Sequence, residues 1–164
     1  MPKTLNISLS TQSIDAAITQ LREYSAWVER KTREINSYLA MLALKTAEQR
    51  FGSAMYDGDN DVSLRAEPIS NGWAIIAEGQ AVCFIEFGAG VYYNGKEPYP
   101  EPRPSGVVGI GEYGQGNGKR NRWVFYAHDG TKVFTHGNPA AMPMFYAKEE
   151  VLAEFAAIAR RVFG

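Results

Sequence analysis

Residues 84–91 read FIEFGAGV and residues 135–147 read THGNPAAMPMFYA. Each stretch sets apolar and aromatic residues beside Gly or Pro, and the second runs directly into a C-terminal helical pattern. Neither offers the nucleophile, base and orienting group that covalent catalysis brings together. The two stretches therefore favour a protein that assembles with others over an enzyme, and we expect no catalytic residue.

Length and composition indicate one domain with its own hydrophobic core. The chain has 164 residues, 45% of them hydrophobic, so its core needs no disulfide, metal or cofactor. Seventeen Lys and Arg against eighteen Asp and Glu give a net charge of −1, so any DNA contact would be local. The lone Cys83 lies in an apolar run, where a buried, inert thiol is expected. No signal peptide or membrane-length apolar run is visible, which predicts a cytosolic product with no membrane contact.

The N-terminal third predicts a short strand or arm (1–10) and a helical region (11–52). Alternating apolar residues at 5, 7 and 9 suggest the strand, and Ser10 to Ser13 offers an N-cap. Residues 14–51 contain no Gly or Pro, and mostly apolar positions recur at alternating spacings of four and three, as on one face of a helix. We call this row of positions the seam. Its positions are Ile14, Ile18, Leu21, Ser25, Val28, Thr32, Ile35, Leu39, Leu42 and Thr46. The two polar seam positions favour a break within 24–32, and Gly52 should end the helix.

The middle of the chain, residues 61–87, predicts a β-hairpin followed by the FIEFG element. Residues 62–66 alternate in polarity, and Asn71-Gly72 separates them from the apolar run 73–77. Asp57, Asp59 and Asp61 have the spacing that opens a calcium loop. The glycine and the bidentate Glu of such a loop are replaced by Val and Pro, so we predict a solvated turn without metal.

The remaining chain predicts a long loop, a second hairpin and a final helix. Residues 88–121 hold much of the Gly and Pro, residues 122–136 flank the turn Asp129-Gly130, and residues 141–163 are helical. The apolar face of that helix should hold Phe145, Val151 or Leu152, Phe155, Ile158 or Ala159, and Val162. The fold class is therefore α+β, with both helical regions packed on a small, mainly antiparallel sheet.

Three groups of residues imitate catalytic or binding sites. Residues 109–114 read GIGEYG, but no strand precedes this fingerprint and no helix opens through it, so nucleotide binding is not expected. His128, Asp129 and His136 are the minimum for an open metal site, yet turn geometry alone favours Asp129, and structural or solvated roles are expected. Glu86 is a carboxylate in an apolar setting, which we interpret as a structural acceptor or an inter-subunit partner for an Arg.

A basic cluster stands at the end of the predicted loop. Lys119, Arg120 and Arg122 precede Trp123 and could make a few phosphate contacts with DNA, which would be weak, salt-sensitive and independent of sequence. A solvated loop tip is the more ordinary interpretation of the same residues.

The two opening stretches, the Gly-rich insertion ending in RWVFY at 122–126, and the order of the elements resemble one known family. It is the neck or tail-completion (head–tail joining) protein family of long non-contractile-tailed bacteriophages and prophages. The resemblance covers roughly residues 11 to 164. The family pattern has Gly-Thr-Gly where this chain has Gly88-Ala89-Gly90, a departure that changes no assigned role.

The resemblance implies a small α+β virion protein without catalytic residues. It would be made in the bacterial host cytoplasm, assemble at the head–tail junction with neck, connector or tail subunits, and form a homo-oligomeric ring. Aromatic side chains of the loop and hairpin are the candidate contacts, since they bury large areas at interfaces, although Trp123 would equally suit the core. With Glu86, the interface candidates are Tyr92, Tyr93, Tyr99, Tyr113 and Trp123. The alternatives are a small metal- or carboxylate-dependent hydrolase using the His and Glu residues, and a DNA-contacting connector.

Overall fold

A computed structural model describes residues 7–54, 56, 59–90, 123–127, 129–135 and 137–164. Within these ranges the chain is α+β, with helices at both ends and short strands between them. In chain order the elements are α1 (Thr11–Ser53), β1 (Ser63–Ile69), β2 (Gly72–Glu78), α2 (Val82–Phe87), β3 (Ala89–Gly90), β4 (Trp123–Tyr126), β5 (Lys132–Thr135), β6 (Gly137–Asn138) and α3 (Pro143–Phe163). The predicted fold class is confirmed. The predicted loop falls almost wholly outside the described residues.

Helix α1 is one continuous element, so the predicted break within 24–32 is wrong. Ser10 is the N-cap, and its side chain accepts from the Ser13 amide at 3.3 Å, as the sequence indicated. Ser and Thr in a helix cost only tenths of a kcal/mol each, and no Gly or Pro interrupts the hydrogen-bond ladder there. The helix ends at Ser53, one residue beyond the predicted Gly52.

Helix α3 lies antiparallel against the C-terminal two thirds of α1. At its start the Arg50 guanidinium stacks over the Tyr146 ring at 3.8 Å, and at its end Phe163 meets the Trp27 ring edge-on at 5.5 Å. One buried cluster lies between them at residues Ile35, Ile158 and Val162. A second cluster holds Ala47, Phe51, Ala81, Ile85 and Ala147. The helix pair thus forms the main body of the core.

The predicted face of α3 is partly wrong. Ile158 and Val162 are buried as expected, and of the alternatives Val151 and Leu152 the first is half-buried and the second 63% exposed. Phe155, which was expected on this face, is 51% exposed. The helix packs on α1 along a narrow stripe, and no sheet in the described part of the chain covers its other side. The broad apolar face in the sequence therefore exceeds what the fold buries.

Three separate antiparallel ladders take the place of one small sheet among the described residues. The β1–β2 hairpin pairs Leu64 with Ala77, and both side chains pack against the second cluster. Its turn is Ser70-Asn71, one position earlier than predicted, since Gly72 already pairs with Ile69. The β4–β5 hairpin forms around Asp129-Gly130 as predicted. Residues 7–10 contain no strand, against the sequence prediction, and 1–6 lie outside the described residues.

Candidate functional site

The stretches at 84–91 and 135–147 come together in the structure. Strand β3 pairs antiparallel with β6, Ala89 opposite Asn138 and Gly90 opposite Gly137. Helix α2 precedes β3 and helix α3 follows β6, so both helices meet at this short ladder. We call residues 84–90 together with 137–145 the junction.

Backbone carbonyls of α2 are satisfied across the junction. The Asn138 side chain is 4% exposed and donates from Nδ2 to the Phe84 carbonyl at 2.7 Å. The Ala141 amide donates to the Ile85 carbonyl at 2.9 Å. The last carbonyls of a helix have no partner within it, so bonds from elsewhere in the chain stabilise this end. The buried Asn138 therefore has a structural role that the sequence reading missed.

Glu86 caps helix α3 from a distant part of the chain. Its carboxylate accepts the Met144 amide on Oε2 at 2.8 Å and the Phe145 amide on Oε1 at 3.0 Å. The N-cap position itself holds Met142, whose side chain makes no capping bond and whose φ is 53°. A negatively charged side chain at a helix N-terminus also interacts favourably with the positive end of the helix dipole. Glu86 is thus a structural acceptor, one of its two predicted roles, and the inter-subunit role remains a prediction.

Gly88 is required where the two stretches cross. Its φ is +80°, a region that side chains disfavour, and a Cβ there would lie 2.8 Å from the Ala140 nitrogen. The same atom would lie 3.0 Å from the Asn138 carbonyl oxygen. The close backbone approach explains why glycine follows the FIEF run.

Asp61 is exposed, as expected of a solvated turn, but it also joins the first hairpin to α2, a role that the sequence did not indicate. Its Oδ2 accepts the Gln80 amide at 2.7 Å and its Oδ1 the Ala81 amide at 2.9 Å. These bonds hold the pKa of Asp61 below its ordinary value. Beside it, Asn60 donates from Nδ2 to the Phe51 carbonyl at 3.1 Å and so closes the C-terminus of α1.

We expect Asp61→Asn to remove part of the acid sensitivity of the protein. Because the folded pKa is depressed, the stabilisation by Asp61 is present above the unfolded pKa of about 4 and is lost as pH falls through the folded pKa. The melting temperatures of wild type and variant should therefore differ at pH 7, and the difference should shrink as pH falls from about 4 through the depressed folded pKa. Asp59→Asn is the matched control, and an unchanged difference across this range would contradict the charge-dependent cap.

The other polar candidates that the structure describes lie in separate local settings. The described residues hold no group of three or more His, Cys, Asp or Glu that could bind a metal. Asp129 accepts the Thr131 amide on Oδ1 at 2.8 Å, which lowers its pKa and fits the expected turn role. Cys83 is half-buried, not buried as predicted, and burial, with a smaller contribution from Glu86, raises its thiol pKa. A raised pKa disfavours the reactive thiolate.

Several predicted residues lie outside the described part of the chain, so no geometry is assigned to them. They are Tyr92, Tyr93, Tyr99, Tyr113, Lys119, Arg120, Arg122, His128, His136, the GIGEYG run and Asp57. Trp123 belongs to β4, paired with Thr135, and its side chain is likewise not described.

The β4–β5 hairpin presents an exposed aromatic face. Directly paired residues share a face of a ladder, so the pairs Val124–Phe134 and Tyr126–Lys132 place all four side chains on one side. Tyr126 is 70% and Phe134 54% exposed, and the Lys132 ammonium lies 5.3 Å from the Phe134 ring centre. We call these four residues the hairpin face. Tyr and Phe are enriched at protein interfaces relative to the rest of the surface.

Comparisons with known proteins found no matching family model, no matching curated protein and no matching solved structure. Among the described helices, none combines the length and the hydropathy needed to cross a membrane.

Proposed function

We propose that this protein is a non-enzymatic virion assembly protein of the phage head–tail junction, acting in neck or tail completion. It binds neighbouring connector or tail subunits. The hairpin face is the observation that carries this proposal, because it exposes Tyr126 and Phe134 directly after the long segment that the sequence assigns to subunit contacts. The resemblance of the two junction stretches to neck and tail-completion proteins is the reason for proposing the phage head–tail junction as the place of assembly.

The junction supports a structural use of those stretches. Glu86, the carboxylate that a hydrolase would need, engages both of its oxygens with backbone amides of α3. Asn138 likewise bonds to the backbone of α2. These residues hold two distant parts of the chain together. Such bonds suit a subunit that must keep its shape during assembly.

We expect the double variant Tyr126→Ser with Phe134→Ser to lose binding to connector or tail components of the same phage by at least about tenfold. Light scattering of the mixed components measures complex formation, and complementation of a deletion phage measures virion yield. Phe155→Ser is the matched control, since Phe155 is 51% exposed but lies on α3.

Normal complexes and normal virion yield with the double variant would contradict the proposal. Loss of virion function only on His128→Ala or His136→Ala, with complexes intact, would favour a hydrolase instead. Salt-sensitive DNA binding that disappears on neutralising Lys119, Arg120 and Arg122 would favour the DNA-contacting connector.

A further inference from the structure

A cleft lies between helix α1 and the tip of the β1–β2 hairpin. Away from its turn, the hairpin packs on the core through Leu64 and Ala77. The pair Pro68–Trp73 lies on the same face of the ladder, closer to the turn, and there a space of about 590 Å³ separates the hairpin from α1. We call this space the tip cleft. Its volume is within the roughly 300–1,000 Å³ that is usual for ligand sites.

The hairpin side of the tip cleft is apolar. Trp73 is 41% and Ile69 56% exposed, and Pro68 lies between them and β1. The half-buried Val28 of α1 lines the cleft from the other side. An aromatic ring buries a large area when it is covered, so this wall is suited to an apolar side chain of a ligand.

The helix side of the tip cleft carries one anion and one cation. Glu29 and Arg33 are one helical turn apart, and both are exposed. Within the described part of the chain, neither of them is in an ion pair. A guanidinium binds a carboxylate through two parallel N–H bonds, and a carboxylate accepts from an ammonium or guanidinium. The helix wall therefore complements a ligand that carries both charges.

Two side-chain amides favour a peptide as the ligand. Asn36 lines the tip cleft from α1 and Asn71 lines it from the hairpin turn. Each amide offers donors and an acceptor, as a peptide group does. Neither side chain has a hydrogen bond within the described part of the chain, so both are available to the backbone of a bound segment.

We propose that the tip cleft binds an extended peptide segment of a partner protein, in which an apolar side chain stands between a basic and an acidic one. Side chains two residues apart in an extended chain share a face at a spacing of about 6.6 Å, and four residues of a helix rise about 6 Å. The basic and acidic side chains can thus meet Glu29 and Arg33 together. The apolar side chain between them then points the other way, towards Trp73.

A five-residue peptide blocked at both ends tests this inference directly. Its sequence is glycine, lysine, leucine, glutamate, glycine, and we call it the lysine–glutamate peptide. Isothermal titration with the full chain should give a dissociation constant on the order of 100 µM, since exposed ion pairs contribute little. Replacing the leucine by serine should weaken binding at least about fivefold. Absence of saturable binding up to about 2 mM peptide would overturn the proposal, as would equally tight binding of a blocked single leucine.

Arg33→Glu should reverse the charge preference of the tip cleft. The variant would present two carboxylates, so it should prefer a peptide with lysine in place of glutamate by at least about fivefold, whereas the wild type prefers the lysine–glutamate peptide. Loss of folding would weaken both peptides and could not produce a reversal. Arg30→Glu is the matched control, because Arg30 is exposed on α1 but does not line the cleft. An unchanged preference with Arg33→Glu would overturn the assignment of the helix wall.

Trp73→Ser should weaken binding of the lysine–glutamate peptide at least about tenfold, because it removes most of the apolar wall. Circular dichroism checks that the variant is folded. Phe134→Ser alters the hairpin face and should leave peptide binding unchanged, so this inference and the proposed function can fail separately. Wild-type affinity in a folded Trp73→Ser variant would overturn the role of the hairpin wall.

Discussion

Gly88→Ala is expected to lower the free energy of unfolding by about 2–5 kcal/mol, combining the strain of a positive φ with overpacking. The added Cβ would lie 2.8 Å from the Ala140 nitrogen, and its three nearest neighbours are backbone atoms that no rotamer change can move. The strand pairing of β3 with β6 begins at the next residue, so a shift here would also disturb that ladder. Urea denaturation followed by circular dichroism measures the loss.

Gly130→Ala separates the two contributions. Gly130 has φ of +79°, almost the same as Gly88, but a Cβ there would meet nothing within 4 Å. This variant should lose only about 1–2 kcal/mol, the conformational part alone. Equal losses for both variants would show that the close approach at the junction contributes nothing.

Glu86→Ala is expected to lower the free energy of unfolding by about 2–4 kcal/mol. The substitution leaves the amides of Met144 and Phe145 without their carboxylate at the start of α3, in a part of the protein where Glu86 itself is only 4% exposed. Thermal and urea unfolding would measure the change.

Glu86→Gln should retain one acceptor and lose roughly half as much stability. Glu150→Ala, an exposed carboxylate in the same helix, is the matched control and should change the free energy of unfolding by less than about 0.5 kcal/mol. A loss with Glu86→Ala no larger than this control would show that the distant cap does not stabilise α3.

Local patterns predicted the elements of the fold well. Capping residues, alternating polarity and turn residues are signals that act between residues a few positions apart in the chain. They account for the Ser10 cap, the end of α1 near Gly52, both hairpins and α3. The break in α1 was predicted from two polar seam positions. It is absent because a helix tolerates Ser and Thr at a cost of roughly a few tenths of a kcal/mol each.

Contacts between distant segments were harder to predict. The sequence singled out the stretches at 84–91 and 135–147 but gave no indication that Glu86 caps α3 or that Asn138 bonds to Phe84. Such bonds depend on which segments meet in space, and no spacing rule within one segment reports them. Asp61 is a similar case, since its acidic turn suggested solvation whereas its partners lie about twenty residues later.

The β3–β6 ladder holds the residues on either side of segment 91–136 next to each other. Gly90 and Gly137 are paired, and the bonds from Glu86 and Asn138 hold this base. The entropic cost of closing a loop rises slowly with its length, by only about 0.6 kcal/mol for each doubling. The rest of the fold should therefore tolerate segments of very different length and composition between Gly90 and Gly137. This makes the segment a suitable place to insert a peptide tag or a small reporter domain.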